Sequence, residues 1–511
     1  MFTKETKVDD IGANRTWGSN LNVIWILAGI FSAGGMIIHS SALFNHFELT
    51  PDFSNFYQAT YLIAHGHYYP YDTLFPFNYP HYGFPFLHSH GEFFVWLLAP
   101  LVAMFPNGFV LLVLQDLAIA STQVLAALWI HKLFQNKHAF VELLTIGAFI
   151  FLNPWYYFSA FFDFHLEPFS MLFLLAAAYT YLNGHRRLSL LFVLLVISTG
   201  DVPSTYLIGL GLGMFLLKPS KNISALLIAL SGGVASVVES SLHLAEASSF
   251  LQRYGYLAGN HPPKSAISLV LGTLSHLGII FSTLHQHIPL TVPYLISGNI
   301  VGLFSPLGLV TALIVLAAPV LVETPIFLSN FASFQIVSFE PILTVAGVMV
   351  LLWSYGNPNH LKSLLPKMAF AVSLVVALYT SYPNLIAAKD FNNSVSQSTA
   401  TTLASVLKHI PSGAEVISGN GTVGRFSGRR LVYSLITFQG ASVPIWSHQT
   451  YIIVVDNQGI ADPSSAQAKV IRTFLLNDRS QVKEILSKGV VQIYRLTSKT
   501  TGYNLQFPPN A

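Results

Sequence analysis

The sequence predicts a mainly α-helical, polytopic membrane protein, in which a bundle of transmembrane helices precedes a C-terminal α/β domain outside the membrane. Three observations lead to this fold class. The 511-residue chain is 52% hydrophobic and only 9% charged, whereas soluble domains contain about 25% charged residues. Apolar runs long enough to cross a bilayer recur from residue 21 to residue 383. From residue 389 onward these runs stop, and the content of polar residues rises.

The positions of lysine and arginine predict which helix ends are cytoplasmic, because short cytoplasmic loops collect these residues. Five clusters, at 4–15, 132–137, 186–187, 218–221 and 362–367, fit one alternation of the chain across the membrane. That alternation requires eleven spans, with the N-terminus in the cytoplasm and the C-terminus outside. The predicted spans are 21–42, 107–131, 139–158, 168–183, 188–199, 205–217, 222–241, 265–283, 306–322, 341–356 and 367–383.

The alternation divides the chain into a cytoplasmic N-terminus (1–20), a transmembrane domain (21–388) and an extracytoplasmic α/β domain (389–511). The first outer loop, residues 43–92, is long and rich in aromatic residues. Counting the apolar run 93–104 as a span would break the predicted inside–outside order of the other spans. We therefore expect it to form an interfacial or re-entrant helix rather than a span.

The C-terminal part alternates between the patterns of strands and helices, which is typical of a small α/β sandwich. Its length of about 120 residues is sufficient for a core of its own. We expect an accessory domain without a catalytic constellation. The predicted strands are 414–419, 430–436, 451–456 and 490–496, and the predicted helices are 399–411, 464–478 and 479–489.

Composition excludes several classes of function. The chain contains no cysteine, so disulfides, thiolate metal sites and thiol catalysis are excluded. A dispersed net charge of +3 gives no indication of nucleic-acid binding. The sequence has no Gly-rich phosphate loop and no dinucleotide fingerprint, so a nucleotide cofactor is not expected.

Acids and histidines are concentrated in the loops that the predicted topology places on the outer side. A charge near the hydrocarbon is costly, and such residues usually line a cavity or a pathway. The alternative is that these loops are simply hydrated and tolerate ionisable residues. The residues are Asp52, His65, His90, Asp163, His165, Glu167, Asp201, Glu239 and His243.

The stretch FFDFHLEPF (161–169) places Asp163, His165 and Glu167 two positions apart. Pro168 suits the first turn of a helix, and a residue before proline favours extended geometry, so we expect Glu167 to end an extended segment. Residues i, i+2 and i+4 of such a segment share a face. The three side chains would then form an edge able to hold a divalent cation such as Mg²⁺ or Mn²⁺. The alternative is a helix-entry motif, with Glu167 at the positive helix end and Asp163 capping a turn.

Several stretches resemble a large family of prokaryotic polytopic membrane proteins, and the resemblance extends over most of residues 45–340. The family is similar in plan to the GT-C glycosyltransferases, whose first outer loop carries an acidic catalytic residue. Two positions depart from the family pattern: Asp201 lacks the preceding acid, and HSHGEF differs around His90 and Glu92. The matching stretches are PDFSNFYQATYLIAHGH (51–67), LHSHGEFFVWLLAPL (87–101), LVLQD (112–116), NPWYYFSAFFDFHLEPF (153–169) and STGDVPS (198–204).

The resemblance implies a multi-pass cell-membrane enzyme that transfers a sugar from a polyprenyl-phosphate-linked donor, a membrane lipid, to a glycan, lipid or protein acceptor. Such a transfer needs a base for the acceptor hydroxyl and groups that offset charge on the departing phosphate. Asp52 is the candidate general base, with Asp163 and His165 completing the catalytic set. The candidates for substrate binding are His65, His90, Glu167, Asp201, Glu239, His243, Arg253 and Lys264.

Two of these candidates, Arg253 and Lys264, stand in a predicted outer loop, where positive residues are unusual. We expect them either to bind the phosphate or to act as ordinary interfacial anchors. Two other classes of function also fit the sequence. The protein could be a transporter or channel gated by the outer acids and histidines, although within the spans Asp116 and Glu142 are the main ionisable residues. It could also be a non-catalytic scaffold or receptor with the same fold.

Overall fold

The structure is a computed structural model. It describes residues 15–72, 84–89, 91–135, 138–242, 253–259, 263, 266–328, 333–357, 359–389, 395–419, 421–434, 442–456, 465–477, 482–497 and 503–506.

The described part of the chain is mainly helical, as the sequence predicts. Proline lies in the first turn of several helices, for example at Pro51, Pro168, Pro306 and Pro341, where its missing N–H costs nothing. The helices are Arg15–Asn45, Pro51–Ala64, Phe86–Ser89, Phe94–Met104, Phe109–Phe134, Ala139–Ile146, Pro154–Phe162, Glu167–Leu182, Arg186–Ser198, Asp201–Leu217, Ala225–Leu242, Ala266–Ser275, Leu277–Ser297, Pro306–Val320, Ser333–Ile336, Glu340–Tyr355, His360–Lys389, Gln397–His409 and Ser465–Asn477.

Five helical segments of the described part are long and apolar enough to cross a membrane, namely Leu21–Asn45, Phe109–Phe134, Ala139–Phe162, Phe334–Tyr355 and Lys362–Lys389. Four shorter apolar helices accompany them, namely Phe94–Met104, Asp201–Leu217, Ala225–Glu239 and Pro306–Val320. Nine of the eleven predicted spans coincide with a single helix. The span 139–158 is interrupted at residues 152–153, and the span 265–283 covers parts of two helices, Ala266–Ser275 and Leu277–Ser297, which His276 separates. That each of the predicted spans crosses the membrane stays a prediction.

The chain divides into two compact units, each assembled from separate pieces of sequence. The first, which we call the helical unit, contains Met1–Met36, Asp116–Ala160 and Leu166–Lys389. The second, which we call the mixed unit, contains Ile37–Gln115, Phe161–His165 and Asp390–Ala511. The first outer loop and the C-terminal part of the chain therefore belong to the same unit.

Close packing in the helical unit depends on glycines in the helix Asp201–Leu217. A Cβ at Gly213 would lie 2.9 Å from the Leu307 Cα, and a Cβ at Gly211 would lie 2.5 Å from the Ala229 N. The helix thus approaches the backbones of two neighbours on different sides. Small residues permit such contacts between membrane helices, where van der Waals packing is a main source of association energy.

The C-terminal part of the mixed unit contains a mixed five-stranded sheet with a helix on each face. Ile452 and Val454 face the helix Ser465–Asn477, and Ile453 and Val455 face the helix Gln397–His409. Successive residues of this strand therefore contribute to two hydrophobic cores, one on each face of the sheet. The strand order is Val432–Ser434, Glu415–Ser418, Gln449–Val455, Val491–Thr497 and Val482–Lys488, with the first three parallel and the last two antiparallel to their neighbours.

One prediction for this region is wrong. Residues 479–489 were predicted as a helix, but Val482–Lys488 is an edge strand paired antiparallel with Val491–Thr497. Gly489, with φ +59°, forms the turn of this hairpin, a conformation that glycine adopts without strain. Pairs of short strands that the sequence did not predict lie at Ser442–Ile445 with Tyr503–Gln506, and at Tyr71–Asp72 with Phe84–Pro85.

The sheet region is joined to the first outer loop by direct contacts within the mixed unit. The Gly424 N–H donates to the Leu49 carbonyl at 3.1 Å, and the Val395 N–H donates to Glu48 Oε1 at 2.7 Å. Phe47 of the loop is fully buried in the same apolar cluster as Phe426. The loop and the sheet therefore share part of one hydrophobic core.

Candidate functional site

The helix Pro51–Ala64, which we call the Asp52 helix, begins directly after the first predicted span. Thr50 is its N-cap residue, and the Thr50 hydroxyl accepts from the Asp52 N–H at 3.4 Å. Threonine followed by proline is a common helix start. The threonine side chain accepts from an N–H of the first turn, and proline has no N–H that would need a partner. Asp52 lies in that first turn with its side chain 43% exposed, so its carboxylate is accessible.

Asp163 holds the start of this helix. It is 1% exposed, and its Oδ2 accepts from the N–H groups of Thr50 and Phe53 at 3.0 and 3.2 Å, and from the Thr50 hydroxyl. Its Oδ1 accepts from the Phe164 N–H at 2.8 Å. One buried carboxylate thus satisfies donors that the helix leaves without partners in its first turn.

Burial raises the pKa of Asp163 to about 7, because the buried surroundings disfavour the charged form. The charge of Asp52 raises this pKa further, while His165 and the hydrogen bonds from Thr50 and Phe164 lower it. Ionisation of Asp163 is therefore sensitive to the groups around it near neutral pH.

His165 faces Asp52. The distance between His165 Nε2 and Asp52 Oδ2 is 3.4 Å, and the His165 side chain is 7% exposed. Its ring stacks on Phe162 with centroids 5.4 Å apart and meets Phe56 edge-on at 6.2 Å. Aromatic walls therefore fix the imidazole beside an accessible carboxylate, and we call these two residues the Asp52–His165 pair.

Gln115 fixes the segment that carries both Asp163 and His165. Its Oε1 accepts from the His165 N–H at 2.7 Å, and its Nε2 donates to the Asp163 carbonyl at 2.8 Å. Gln115 is fully buried. One amide thus satisfies both an N–H and a C=O group of a buried segment that has no regular secondary structure of its own.

The predicted extended edge of Asp163, His165 and Glu167 is wrong at Glu167. Leu166 has helical angles (φ −90°, ψ −17°), and Glu167 is the first residue of the helix Glu167–Leu182. The helix begins one residue earlier than the proline rule suggested, because proline is tolerated within the first turn. Within the described residues, no group of three or more histidine, aspartate or glutamate side chains is arranged to hold a metal ion.

The other predicted site residues lie in different places. His65 ends the Asp52 helix, roughly 20 Å along the axis from Asp52 at about 1.5 Å per residue, and its Nδ1 lies 2.8 Å from the Tyr61 carbonyl oxygen. Four others, Glu167, Asp201, Glu239 and Arg253, belong to the helical unit. The remaining three, His90, His243 and Lys264, lie outside the described residues.

In the helical unit, Glu239 is 3% exposed and its Oε2 accepts from the Ser204 hydroxyl at 2.9 Å. Asp201 begins the helix Asp201–Leu217, and its Oδ1 accepts from the Val202 N–H at 2.8 Å. Arg253 is exposed. A common cavity for these residues and the Asp52–His165 pair stays a prediction.

The sequence reasoning missed the roles of Thr50 and Gln115. Thr50 could have been found, because threonine followed by Pro-Asp matches the start signal of a helix. Gln115 carries a weaker signal, an amide in the apolar run FVLLVLQDL (109–117). A polar group in such a run needs a partner, but the sequence does not say which.

Comparison with known proteins places the chain in a sequence family. The profile of the family described as "Predicted membrane protein (DUF2079)" matches residues 45–473. No curated protein matches the chain.

Two solved structures show a weak likeness, each with 12% identity over 86% of this chain and 69% of the other chain. One is the Archaeoglobus fulgidus oligosaccharyltransferase tethered with an acceptor peptide, at a TM-score of 0.45. The other is AglB, the archaeal oligosaccharyltransferase of the same organism, in complex with an inhibitory peptide and a dolichol-phosphate, at 0.39. A likeness at these scores does not establish a shared fold or activity.

Proposed function

The chain belongs to the DUF2079 family of predicted membrane proteins, and from this premise we propose that it is a GT-C-like glycosyltransferase. It transfers a sugar from a polyprenyl-phosphate-linked donor to a hydroxyl-bearing glycan, lipid or protein acceptor at the outer membrane face. The observation that carries the proposal is the Asp52–His165 pair, in which an accessible carboxylate lies 3.4 Å from a buried imidazole.

The proposed step is a displacement at the anomeric carbon of the sugar. The acceptor oxygen forms the new glycosidic bond while the bond between the sugar and the phosphate oxygen breaks. The polyprenyl phosphate leaves with the electron pair, and Asp52 takes the proton of the acceptor hydroxyl. The 43% exposure of the Asp52 side chain leaves room for an acceptor to approach it.

His165 is proposed to position Asp52 rather than to meet the substrate. It is 7% exposed and its ring packs against Phe162 and Phe56. Asp163 and Gln115 in turn fix the start of the Asp52 helix and the backbone of His165. Groups held in this way keep a base within reach of its proton, and misplacement by about 1 Å can cost on the order of a hundredfold in rate.

The donor phosphate is proposed to bind Arg253 and Lys264, with His65, His90, Glu167, Asp201, Glu239 and His243 as further substrate contacts. The protein is proposed to cross the cell membrane eleven times, with a cytoplasmic N-terminus. Residues 389–511 would then be extracytoplasmic, on the same side as Asp52. A titration of activity with a chelator would test whether the transfer requires a divalent cation, Mg²⁺ or Mn²⁺.

The experiment is an activity assay with purified protein in liposomes, supplied with polyprenyl-phosphate hexoses labelled in the sugar. Release of free polyprenyl phosphate measures turnover, and retention of the labelled donor measures binding. Asp52→Asn should lower turnover by about a hundredfold or more, which is what a positioned general base contributes, and should largely preserve donor binding because the side-chain shape is retained.

Glu484→Gln is the matched control, since it also removes one carboxylate from the mixed unit. Glu484 forms a surface ion pair with Arg472 at 3.3 Å, and such pairs contribute little to stability. The control should turn over at the wild-type rate. Wild-type turnover by Asp52→Asn would refute Asp52 as the base, and wild-type protein that released no polyprenyl phosphate from any donor would refute the transferase.

A further inference from the structure

The helical unit contains a large cavity with a volume of about 1040 Å³. It exceeds the roughly 300–1,000 Å³ of common small-molecule sites. The cavity is lined by the ends of six helices, with residues from the C-terminal ends of Phe109–Phe134, Glu167–Leu182, Asp201–Leu217 and Glu340–Tyr355 and from the beginnings of Pro306–Val320 and His360–Lys389.

Most of the cavity wall is apolar. Leu133, Leu182 and Trp353 contribute to it, together with Leu216 and Leu365. Leu216 is 47% exposed and Leu365 is 59% exposed, so this part of the apolar wall is not covered by other protein atoms. Such a surface is stable in hydrocarbon and unfavourable in water. The cavity therefore suits an acyl chain better than it suits a polar solute.

Three lysines also line the cavity, namely Lys218, Lys221 and Lys362, and all three are exposed. Within the part of the chain that the structure describes, none of them forms an ion pair. None of the described residues that line the cavity is an aspartate or a glutamate. The side of the cavity that carries the three lysines therefore attracts an anion.

A second, independent feature points to the same ligand chemistry. Ser305 lines the cavity and is 5% exposed, and its Oγ has no hydrogen-bond partner within the described residues. Its backbone is the N-cap of the helix Pro306–Val320, yet its side chain makes no capping hydrogen bond. A buried hydroxyl without a partner costs about 1–3 kcal/mol. A ligand oxygen at the positive end of this helix would supply the missing partner.

We propose that this cavity binds an anionic phospholipid, with its acyl chains along the apolar wall and its phosphate among the three lysines and Ser305. The predicted topology places all three lysines on the cytoplasmic side, so the lipid comes from the cytoplasmic leaflet. The site is separate from the proposed sugar transfer, and neither proposal depends on the other.

The experiment uses the full-length protein in detergent, titrated with phosphatidylglycerol or with phosphatidylcholine of the same acyl chains. Native mass spectrometry counts the lipids that remain bound. Phosphatidylglycerol should bind at least about tenfold more tightly, given the attraction expected from three lysines, and added salt should weaken this preference. The triple variant Lys218→Gln, Lys221→Gln, Lys362→Gln should lose the preference.

The control is the triple variant Lys408→Gln, Lys469→Gln, Lys483→Gln, which removes the same charge from exposed lysines of the mixed unit. It should keep the wild-type preference. Ser305→Ala, a smaller change, should reduce the affinity for both lipids and keep the preference for phosphatidylglycerol, because both lipids carry a phosphate that can accept from the hydroxyl while only the lysines distinguish their net charge. Equal affinity for the two lipids, or an equal loss in both triple variants, would overturn the proposal. So would displacement of phosphatidylglycerol by millimolar inorganic phosphate, which would indicate a site for a soluble anion.

Discussion

A single amide holds the backbone that carries His165 of the Asp52–His165 pair. Gln115 makes one hydrogen bond to His165 and one to Asp163, on either side of Phe164. Gln115→Leu keeps the approximate volume but leaves a buried N–H and a buried C=O without partners. We expect a loss of about 2–4 kcal/mol in the free energy of unfolding and a fall in turnover with little change in donor binding.

Gln397→Leu is the comparison for this variant, because Gln397 is an exposed glutamine of the same unit. Thermal unfolding and turnover would be measured for both. If Gln115→Leu unfolded at the wild-type temperature, its amide would not hold residues 163–165, and the positioning role would be wrong.

Sequence reasoning located the acids and the histidine of the site but not all of their partners. Asp52, Asp163 and His165 were found because charged residues in aromatic surroundings are conspicuous. Asp163 was considered as a turn cap, but the helix that it caps begins 113 positions earlier at Thr50. A local pattern cannot indicate a partner at that distance, since many topologies satisfy the same pattern.

The strand Glu415–Ser418 contains a buried carboxyl group, and this group makes the stability of the folded protein depend on pH. Glu415 accepts hydrogen bonds from the Trp446 and Ser447 N–H groups, both at 3.1 Å, and from the Thr450 hydroxyl at 2.8 Å. Burial raises its pKa from 4.5 to about 7 and outweighs these hydrogen bonds, which lower it.

Because the folded pKa is the higher one, the folded state binds more protons than the unfolded state between about pH 4.5 and pH 7. Stability contributed by Glu415 is therefore present below this range and is lost as the pH rises through it, by roughly 3 kcal/mol in total. Unfolding of the full-length protein would be followed from pH 4.5 to pH 8. Glu415→Gln should flatten the pH dependence relative to wild type, and Glu484→Gln should not; equal slopes in all three proteins would contradict the prediction.

The turn Val423–Phe426 joins the C-terminal sheet region to the first outer loop by close contact. A Cβ at Gly424 would lie 2.6 Å from the Leu49 Cβ and 2.9 Å from the Leu49 carbonyl oxygen. Since one of these atoms belongs to the backbone, Gly424→Ala must move the loop or the turn. We expect a loss of about 1–3 kcal/mol in stability, and lower turnover because Thr50 and the Asp52 helix directly follow Leu49.

Gly413→Ala is the matched control, because a Cβ at Gly413 would meet nothing within 4 Å. Urea unfolding of the two variants would separate a local steric effect from a general effect of adding a methyl group. Equal midpoints would contradict the contact at Leu49.

The patterns of the sequence located most helices and strands but not the hairpin at the sheet edge. The strands around residues 416, 453 and 493 were predicted from the alternation of strand and helix patterns along the chain, and all three are present. The segment RSQVKEILSKG has residues that favour helices, yet Val482–Lys488 pairs with Val491–Thr497. Pairing with a partner already in the sheet outweighs a weak intrinsic preference.

The predicted orientation can be tested on a chain that has no cysteine of its own. A single cysteine at Arg187 or Lys132 should resist an impermeant thiol reagent in intact cells. A single cysteine at Lys408 or Lys469 should be labelled. Membrane disruption should make all four reactive, which controls for burial. Labelling at Arg187 in intact cells would overturn the assignment of the cytoplasmic side.

Hydropathy located most of the long apolar helices, because a backbone in hydrocarbon must satisfy its hydrogen bonds within the segment, but it missed the break at His276 between Ala266–Ser275 and Leu277–Ser297. The grouping of the chain into two units could not be obtained in this way. The segment Phe161–His165 belongs to the same unit as an earlier part of the sequence, 37–115, and a later part, 390–511. Its membership depends on contacts between distant residues, which leave no periodic signal.

The contact between the outer loop and the C-terminal region also has a consequence in time. Gln58 donates to the Arg430 carbonyl at 2.9 Å, a partner 372 positions further along the chain. At about 5–20 residues per second, the ribosome makes that partner roughly 20–75 seconds after Gln58. During this interval the Asp52 helix lacks this contact with the C-terminal part of the chain. A chain that stops before residue 430 cannot form the hydrogen bond, so the surroundings of the Asp52 helix are completed only late in synthesis.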